Sequence, residues 1–315
     1  MTLWTPKIEK ILQGEIDARV NSDDDFVAMH AFMERKTDKY SGLLPSWGDD
    51  HLRIVNNVAG GEAPYRRIKC NETNEIPYKL RSYGLKKVIV IEDLCNYEFP
   101  HDAKRDSAMM LESAMKIAKE HRVASALQDP AVITQNIALT APTDKYNDYM
   151  NSKPIENFLN ARIALNRATG ATQRDIIAFM NYDVAETLRR HPSLVENNKY
   201  TSNMNSGLSY DQLADAMGVR KVYVGNAQYV AGNVPQNTGY QSIWGNHITF
   251  TVSPNGGHNF RKVFGYKMTL RKRPNMRLRS VMQDEPEDSI KMMISEIGSE
   301  IIANTGASYL ISDVL

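Results

Sequence analysis

Residues 76–127 read IPYKLRSYGLKKVIVIEDLCNYEFPHDAKRDSAMMLESAMKIAKEHRVASAL, and three patterns follow one another within them. The run 76–83, taken with 65–70 and the polar break 71–75 between them, predicts a β-hairpin with a loop over those break residues. Across 56–87 the large aliphatics are Val58, Ile68, Ile76, Leu80 and Leu85. A two-stranded ribbon with so few cannot hold a core in water. Arg66, Arg67, Lys69, Lys79, Arg81, Lys86 and Lys87 also outnumber Glu62, Glu72 and Glu75, which adds self-repulsion. The ribbon therefore needs a partner surface, unless it is simply a mobile surface hairpin. Val88 to Ile91 then carries a buried-strand signal. Between Pro100 and Asp129 neither Gly nor Pro interrupts the chain, and Met110, Ala114, Ile117, His121 and Ala124 recur at helical spacing. That predicts a helix of about 25 residues, roughly 38 Å long. Its stripe of Ala and Met is thin, which suits packing on a sheet from one side.

Upstream, residues 5–20 form a short amphipathic pattern, with Thr5 as cap, Pro6 at the first position and Ile8, Ile11, Leu12 and Ile16 on one stripe. Such a helix is too short to stand alone and must dock. Asp23, Asp24 and Asp25 follow, then a mixed segment to Trp47 with Phe26, Phe32 and Leu43 as anchors. It reads as an arm, or as a terminus packed on its own domain. Downstream, 154–169 is a helix opened by Pro154 and stopped by Gly170, with Ile155, Phe158, Leu159, Arg162 and Ile163 in period. A strand is expected over 175–180 and a helix over 183–190. Ser209 and Gln212 then make a capping box for a helix ending at Gly218. Strands return at 221–224, 248–252, 265–270 and 290–294. The alternation indicates an α+β or α/β body from which the chain departs and to which it returns.

The chain has 315 residues, with 38 Lys+Arg against 37 Asp+Glu and a net charge of +1. That balance excludes a binder whose affinity rests on excess positive charge. With 42% apolar and 24% charged residues, a sizeable core is expected rather than disorder. Two cysteines, Cys70 and Cys95, cannot make a disulfide framework or a four-ligand zinc site, and both are expected as free thiols in a reducing compartment. Neither a leader peptide nor a membrane span is legible.

The search for chemistry returns little. A phosphate-binding glycine loop and a G-x-S-x-G elbow are both missing, and the histidines at 30, 51, 101, 121, 191, 247 and 258 show no metal-ligand spacing. Catalytic, cofactor-binding and metal residues are each expected to be none. One asymmetry stands out: Arg261, Lys262, Lys267, Arg271, Lys272, Arg273, Arg277 and Arg279 occur without an acid, and Asp284, Glu285, Glu287 and Asp288 follow. This basic stripe could meet DNA phosphates or a neighbour's acidic patch, or simply face solvent.

Several segments carry a resemblance. The stretch 76–127, ending Glu120-His121-Arg122-Val123-Ala124, is similar to the passage from extended loop through a strand into the long "spine" helix of Hong Kong 97-type major capsid proteins of tailed bacteriophages. PIENFLNARIALNRATG from 154 with NYDVAETLRRHPSLVE from 181, LSYDQLADAMGVRKVYVGNAQY from 208, Ser242-Ile243-Trp244-Gly245 and the terminal ASYLISDVL from 307 match it in order. The resemblance covers most of the chain beyond residue 55 and little before it.

It implies an α+β Hong Kong 97-type fold: an N-terminal arm (1–54), an extended β-hairpin loop (55–88), a peripheral domain with the spine helix (89–154 and 261–299) and an axial domain (155–260 and 300–315). It implies a non-enzymatic structural protein of the virion capsid. In that role it would self-assemble as pentamers and hexamers into an icosahedral shell around double-stranded DNA, in the host cytoplasm, without membrane. Loop contacts to an adjacent subunit are expected at Tyr65, Arg66, Arg67, Ile68, Lys79 and Arg81. Expected partners are a separate scaffolding protein, because the loop begins too early for a fused scaffolding segment, a portal protein at one vertex, decoration proteins and non-specifically bound DNA. Some similar proteins weld subunits by Lys–Asn isopeptide bonds. Lys69, Lys79 and Asn226 offer the residue types, but no such site maps here, and no cross-link is expected. An encapsulin-like protein compartment is the alternative, and a cytosolic hydrolase built on His191 or His121 with an acid is a third reading.

Overall fold

A computed structural model describes residues 25–47, 54, 72–90, 100–197, 207–229, 241–253, 262–273, 276–283 and 289–315. A 3-10 turn at Ala28–Ala31 precedes β1 (Phe32–Thr37), β2 (Ser41–Trp47), β3 (Glu72–Lys79) and β4 (Arg81–Val90). Next come α1 (Pro100–Gln128), β5 (Asn136–Ala138), α2 (Pro154–Thr169), β6 (Ile176–Asn181), α3 (Tyr182–Arg189), α4 (Pro192–Asn197), α5 (Tyr210–Met217) and β7 (Lys221–Gly225). The chain ends through β8 (Gln228–Tyr229), β9 (Gln241–Ser242), β10 (Ile248–Val252), β11 (Gly265–Leu270), β12 (Arg277–Gln283), β13 (Ser289–Ile302) and β14 (Ser308–Ser312).

The first sheet is organised by β13. One edge pairs with β4, from Ser289 opposite Val90 to Gly298 opposite Arg81. Its other edge takes β12 along Ser289 to Ser295 and then β11 along Gly298 to Ile302, so these two strands lie end to end. β1 adds in parallel to β11. Side chains alternate across a strand, and the register fixes which face each residue serves. Ile290, Met292 and Ile294 of β13, with Ile89 and Leu278, pack on Ala108, Leu111 and Met115 of α1. Ile297 turns to the opposite face and packs with Met268, Leu270, Leu44 and Leu80, where the β2–β3 ribbon lies. The long helix does pack on a sheet from one side, but through Ala108, Leu111 and Met115 rather than the stripe read from the sequence, of which Met110 is 62% exposed and His121 is exposed.

The second sheet has the order β5-β14-β10-β6-β7, with β5–β14 and β6–β7 parallel. All six residues of β6 and all five of β10 are buried, as strands covered on both faces should be. Phe158, Ala161 and Leu165 of α2 and Leu213 and Met217 of α5 join Phe179 and Phe250 in its core. The capping box forms as expected, Ser209 N–H donating to Gln212 Oε1 at 2.9 Å and Gln212 N–H to Ser209 Oγ at 3.2 Å. Val123, Ala124 and Leu127 from the C-terminal half of α1 enter this second core. One helix thus serves two bodies, with its first half on one sheet and its second half in the other.

Two expectations are corrected. The break expected over 71–75 is not a loop: β3 begins at Glu72, and its partner is Ser41–Trp47, with Leu44 opposite Ile76. The partner expected at 65–70 lies outside the described residues. The chain instead changes sheets at Leu80, whose N–H donates to Tyr40 C=O at 2.7 Å and whose side chain is buried. An apolar residue in mid-run looks like strand continuation, and only the tertiary core reveals it as a corner. Likewise, the anchors after Asp25 do more than hold an arm, because β1 is an integral strand of the first sheet. β5 (Asn136–Ala138) already pairs with β14 in the second sheet, because α1 has carried the chain across.

Candidate assembly surfaces

The joint between the two bodies is built on Glu120, which is 2% exposed. Val27 N–H and Ala28 N–H each donate to its Oε1 at 3.1 Å, Ala28 N–H also reaches Oε2 at 3.1 Å, and Trp244 Nε1–H donates to Oε1 at 2.9 Å. One carboxylate therefore ties the N-terminal segment and the Trp244 loop to the long helix. Burial raises its pKa, while the bonds from Trp244, Ala28 and Val27 oppose that rise. Trp244 stacks on Phe179, ring centroids 5.6 Å apart at 7°. Its ring presses on Gly225 so closely that a Cβ there would stand 2.1 Å from Cδ1.

A second set of contacts locks α1 to the first sheet. Lys119 Nζ donates to Glu296 Oε1 at 2.6 Å, and Arg122 Nη2 to Glu300 Oε1 at 3.3 Å. The Arg122 guanidinium lies 4.0 Å from the Tyr83 ring centroid. Lys267, a member of the expected stripe, is turned into this cluster. Burial lowers its pKa, and the neighbouring Lys119 lowers it further, against Glu296 and Glu34.

The expected loop contacts divide. Tyr65, Arg66, Arg67 and Ile68 lie outside the described residues. Lys79 and Arg81 are exposed on either side of buried Leu80, one closing β3 and the other opening β4. Tyr40 and Leu43, beside them on the ribbon, are 57% and 56% exposed. The stripe also divides, because β11 and β12 are separated by an excursion and each strand alternates its faces. Arg261 lies outside the described residues, and Lys262 and Arg273 are half-buried. Arg271 pairs with Asp38 at 3.3 Å and Lys272 is exposed. Arg277 and Arg279 are exposed on the face turned away from α1. Lys86 and Lys291 join that same face. The roles of Glu120, Trp244, Lys86 and Lys291 escaped the sequence reading, because each owes its place to partners distant in the chain.

Catalytic machinery is not assembled around the two histidines considered. His191 is fully buried, with Ser152 Oγ 2.9 Å from Nε2 and Ser193 Oγ 2.8 Å from Nδ1, so both ring nitrogens are engaged. Its pKa is lowered by burial. His121 packs edge-on to Tyr229 at 5.3 Å. A cleft of about 530 Å³ runs between Phe26, Glu112, Lys116, Asn226 and Gln228, and Glu112 is paired there with Lys116 at 2.6 Å. Among the described residues no three metal-ligating side chains converge, and no helix is long and apolar enough to cross a membrane.

Two sheets threaded on one long helix, with an N-terminal strand at the edge of the first and a ribbon laid on its far face, form the Hong Kong 97-type capsid fold. A phage-related protein from Bordetella bronchiseptica RB50 superposes with a TM-score of 0.71 at 18% identity, covering 97% of each chain. The capsid of the cyanophage P-SCSP1u gives 0.57 at 10% identity over 90% of this chain and 86% of its own. A virus-like particle from Pyrococcus furiosus gives 0.56 at 10% identity over 96% and 98%. No protein-family model and no curated protein matches the sequence.

Proposed function

We propose that this protein is the major capsid (head) protein of a tailed bacteriophage, which self-assembles through pentamers and hexamers into an icosahedral shell enclosing double-stranded DNA. The observation that carries this reading is a capsid fold matched over nearly the whole chain rather than over one domain. The role is structural, and interface burial replaces catalysis: many symmetric contacts, each modest, add up to a closed lattice. In this reading the residues before Phe26 serve as arm and the stretch 55–79 as the loop reaching an adjacent subunit, β1 and β4 being strands of this chain's own first sheet. Residues 89–154 with 261–299 are peripheral, and 155–260 with 300–315 surround the capsomer axis. The exposed Tyr40, Leu43, Lys79 and Arg81 support a ribbon that completes its burial on a neighbour. DNA contact is sequence-independent and weak, since a net charge of +1 offers little attraction. Portal and decoration proteins complete the particle.

Likeness to the Pyrococcus furiosus virus-like particle supports a second reading, an encapsulin-like compartment that holds protein cargo. Electron microscopy and size-exclusion chromatography of the expressed chain test the shell, with megadalton particles or capsomers expected. A stable monomer as the working form would overturn it. Nucleic acid extracted from particles separates the two shells: phage heads yield genome-length DNA and a cargo compartment does not.

A further inference from the structure

Pleat and register gather four cations that the sequence scatters. On the face of the first sheet turned away from α1, Lys86 of β4 stands opposite Met293 of β13, which stands opposite Arg279 of β12. Two residues along in one direction, Gly84, Ser295 and Arg277 form the next row; two along in the other, Val88 stands opposite Lys291. Strand spacing of about 4.8 Å and a side-chain repeat of about 6.7 Å confine the group to a patch roughly 10 by 13 Å. Lys86, Arg277 and Arg279 are exposed, Val88 is 50% exposed, and Lys291 and Met293 are half-buried. Residues 81–90, 277–283 and 289–295 contain no acid. Glu296, the first acid beyond them, is turned to α1 and held by Lys119. Among the described residues none of the four cations forms an ion pair.

Like charges on one sheet face repel, so this face is unfavourable in an isolated subunit and improves when acids cover it. Because the chain is nearly neutral, acids must balance these cations, and the largest acidic cluster is Asp284, Glu285, Glu287 and Asp288, in the link between β12 and β13, without a cation among them. We propose that this face receives the acidic run 284–288 of a second copy of the chain, in a head-to-tail contact that helps to build the lattice. The proposal rests on the shell reading above. Four cations match four acids. Val88 and Met293 between the cations suit a protein surface, whereas a phosphate backbone offers them no apolar contact. A head-to-tail contact between different patches also propagates from copy to copy, as a lattice requires.

The test uses the full chain in three forms: unmodified, K86E/R277E/R279E, and D284K/E285K/E287K/D288K, each checked for folding by circular dichroism and thermal melting. Neither charge-reversed form should make particles alone, while a one-to-one mixture of the two should form mixed oligomers that neither forms by itself. The neutral form K86Q/R277Q/R279Q covers the case in which reversal disturbs folding. It should need about tenfold more protein to assemble, and its assembly should respond less to salt. Normal particles from K86E/R277E/R279E would overturn the proposal, and loss of nucleic acid from those particles would hand the face to DNA. A mixture whose two forms do not bind each other would also overturn it, the acids then serving their own chain. Failure of the unmodified chain to assemble strikes instead at the shell reading.

Discussion

Glu120 shows how much one residue can decide. Its carboxylate satisfies three donors on two distant segments, so Glu120→Ala leaves buried N–H groups without acceptors and should cost about 3 kcal/mol or more. Glu120→Gln keeps one acceptor and should cost less, as thermal melts would show. Because burial raises its folded pKa above the unfolded value, the folded form binds the proton more tightly. This residue therefore favours folding most below the unfolded carboxylate range and progressively less as pH rises through the folded value. Glu120→Gln should flatten that part of the stability profile, and an unchanged profile would remove Glu120 from the account. Gly218 decides a helix end. It caps α5 at φ +66°, and a Cβ there would lie 2.0 Å from Arg162 Nη1. Gly218→Ala should lower stability by about 1–3 kcal/mol, measured by chemical denaturation. The capping chemistry of Ser209 and Gln212 was legible because it is local. Glu120 was visible only as one letter of a helix, because its partners lie about ninety and more than a hundred and twenty residues away.

At the scale of elements, the long helix and the ribbon obey opposite logics. α1 is held by apolar packing and by ion pairs at the sheet surface, and the Lys119–Glu296 pair is almost completely buried. Lys119→Met alone removes the hydrogen-bonded partner of Glu296, leaves Lys267 as its nearby cation and should destabilise by about 1–3 kcal/mol, whereas Lys119→Met with Glu296→Leu should recover part of the loss. A double variant as unstable as the single would mean that packing, not charge, holds the helix. The ribbon has little core of its own, and its partner strand, β2, lies upstream rather than in the basic segment before it. Replacing residues 66–79 by a short Gly-Ser linker removes β3 but spares buried Leu80, and should abolish shells while leaving soluble subunits that keep the helical part of their circular dichroism spectrum. Normal particles would show that the ribbon is not an assembly element. Helix α2 was legible to the residue because Pro154 and Gly170 punctuate it. The end of β3 was not, because Leu80 is apolar whether it continues a strand or turns into a core.

The molecule as a whole joins two bodies through one helix and displays a partly exposed ribbon and a basic sheet face that the other described residues leave open. If the lattice rests on non-covalent contacts alone, particles boiled in denaturant should run as a single band at 35.6 kDa, and a ladder would reveal Lys–Asn cross-links. Local periodicity, capping residues and composition determined the long helix, the α+β class and the scarcity of catalytic motifs, since each depends on residues a few positions apart. Only the tertiary structure decided that β1 belongs to the first sheet, that Glu120 joins the two bodies and that Lys86, Arg277, Arg279 and Lys291 share one face. Those facts depend on strand register and on contacts between segments tens to hundreds of residues apart, and nothing in a local window carries that information.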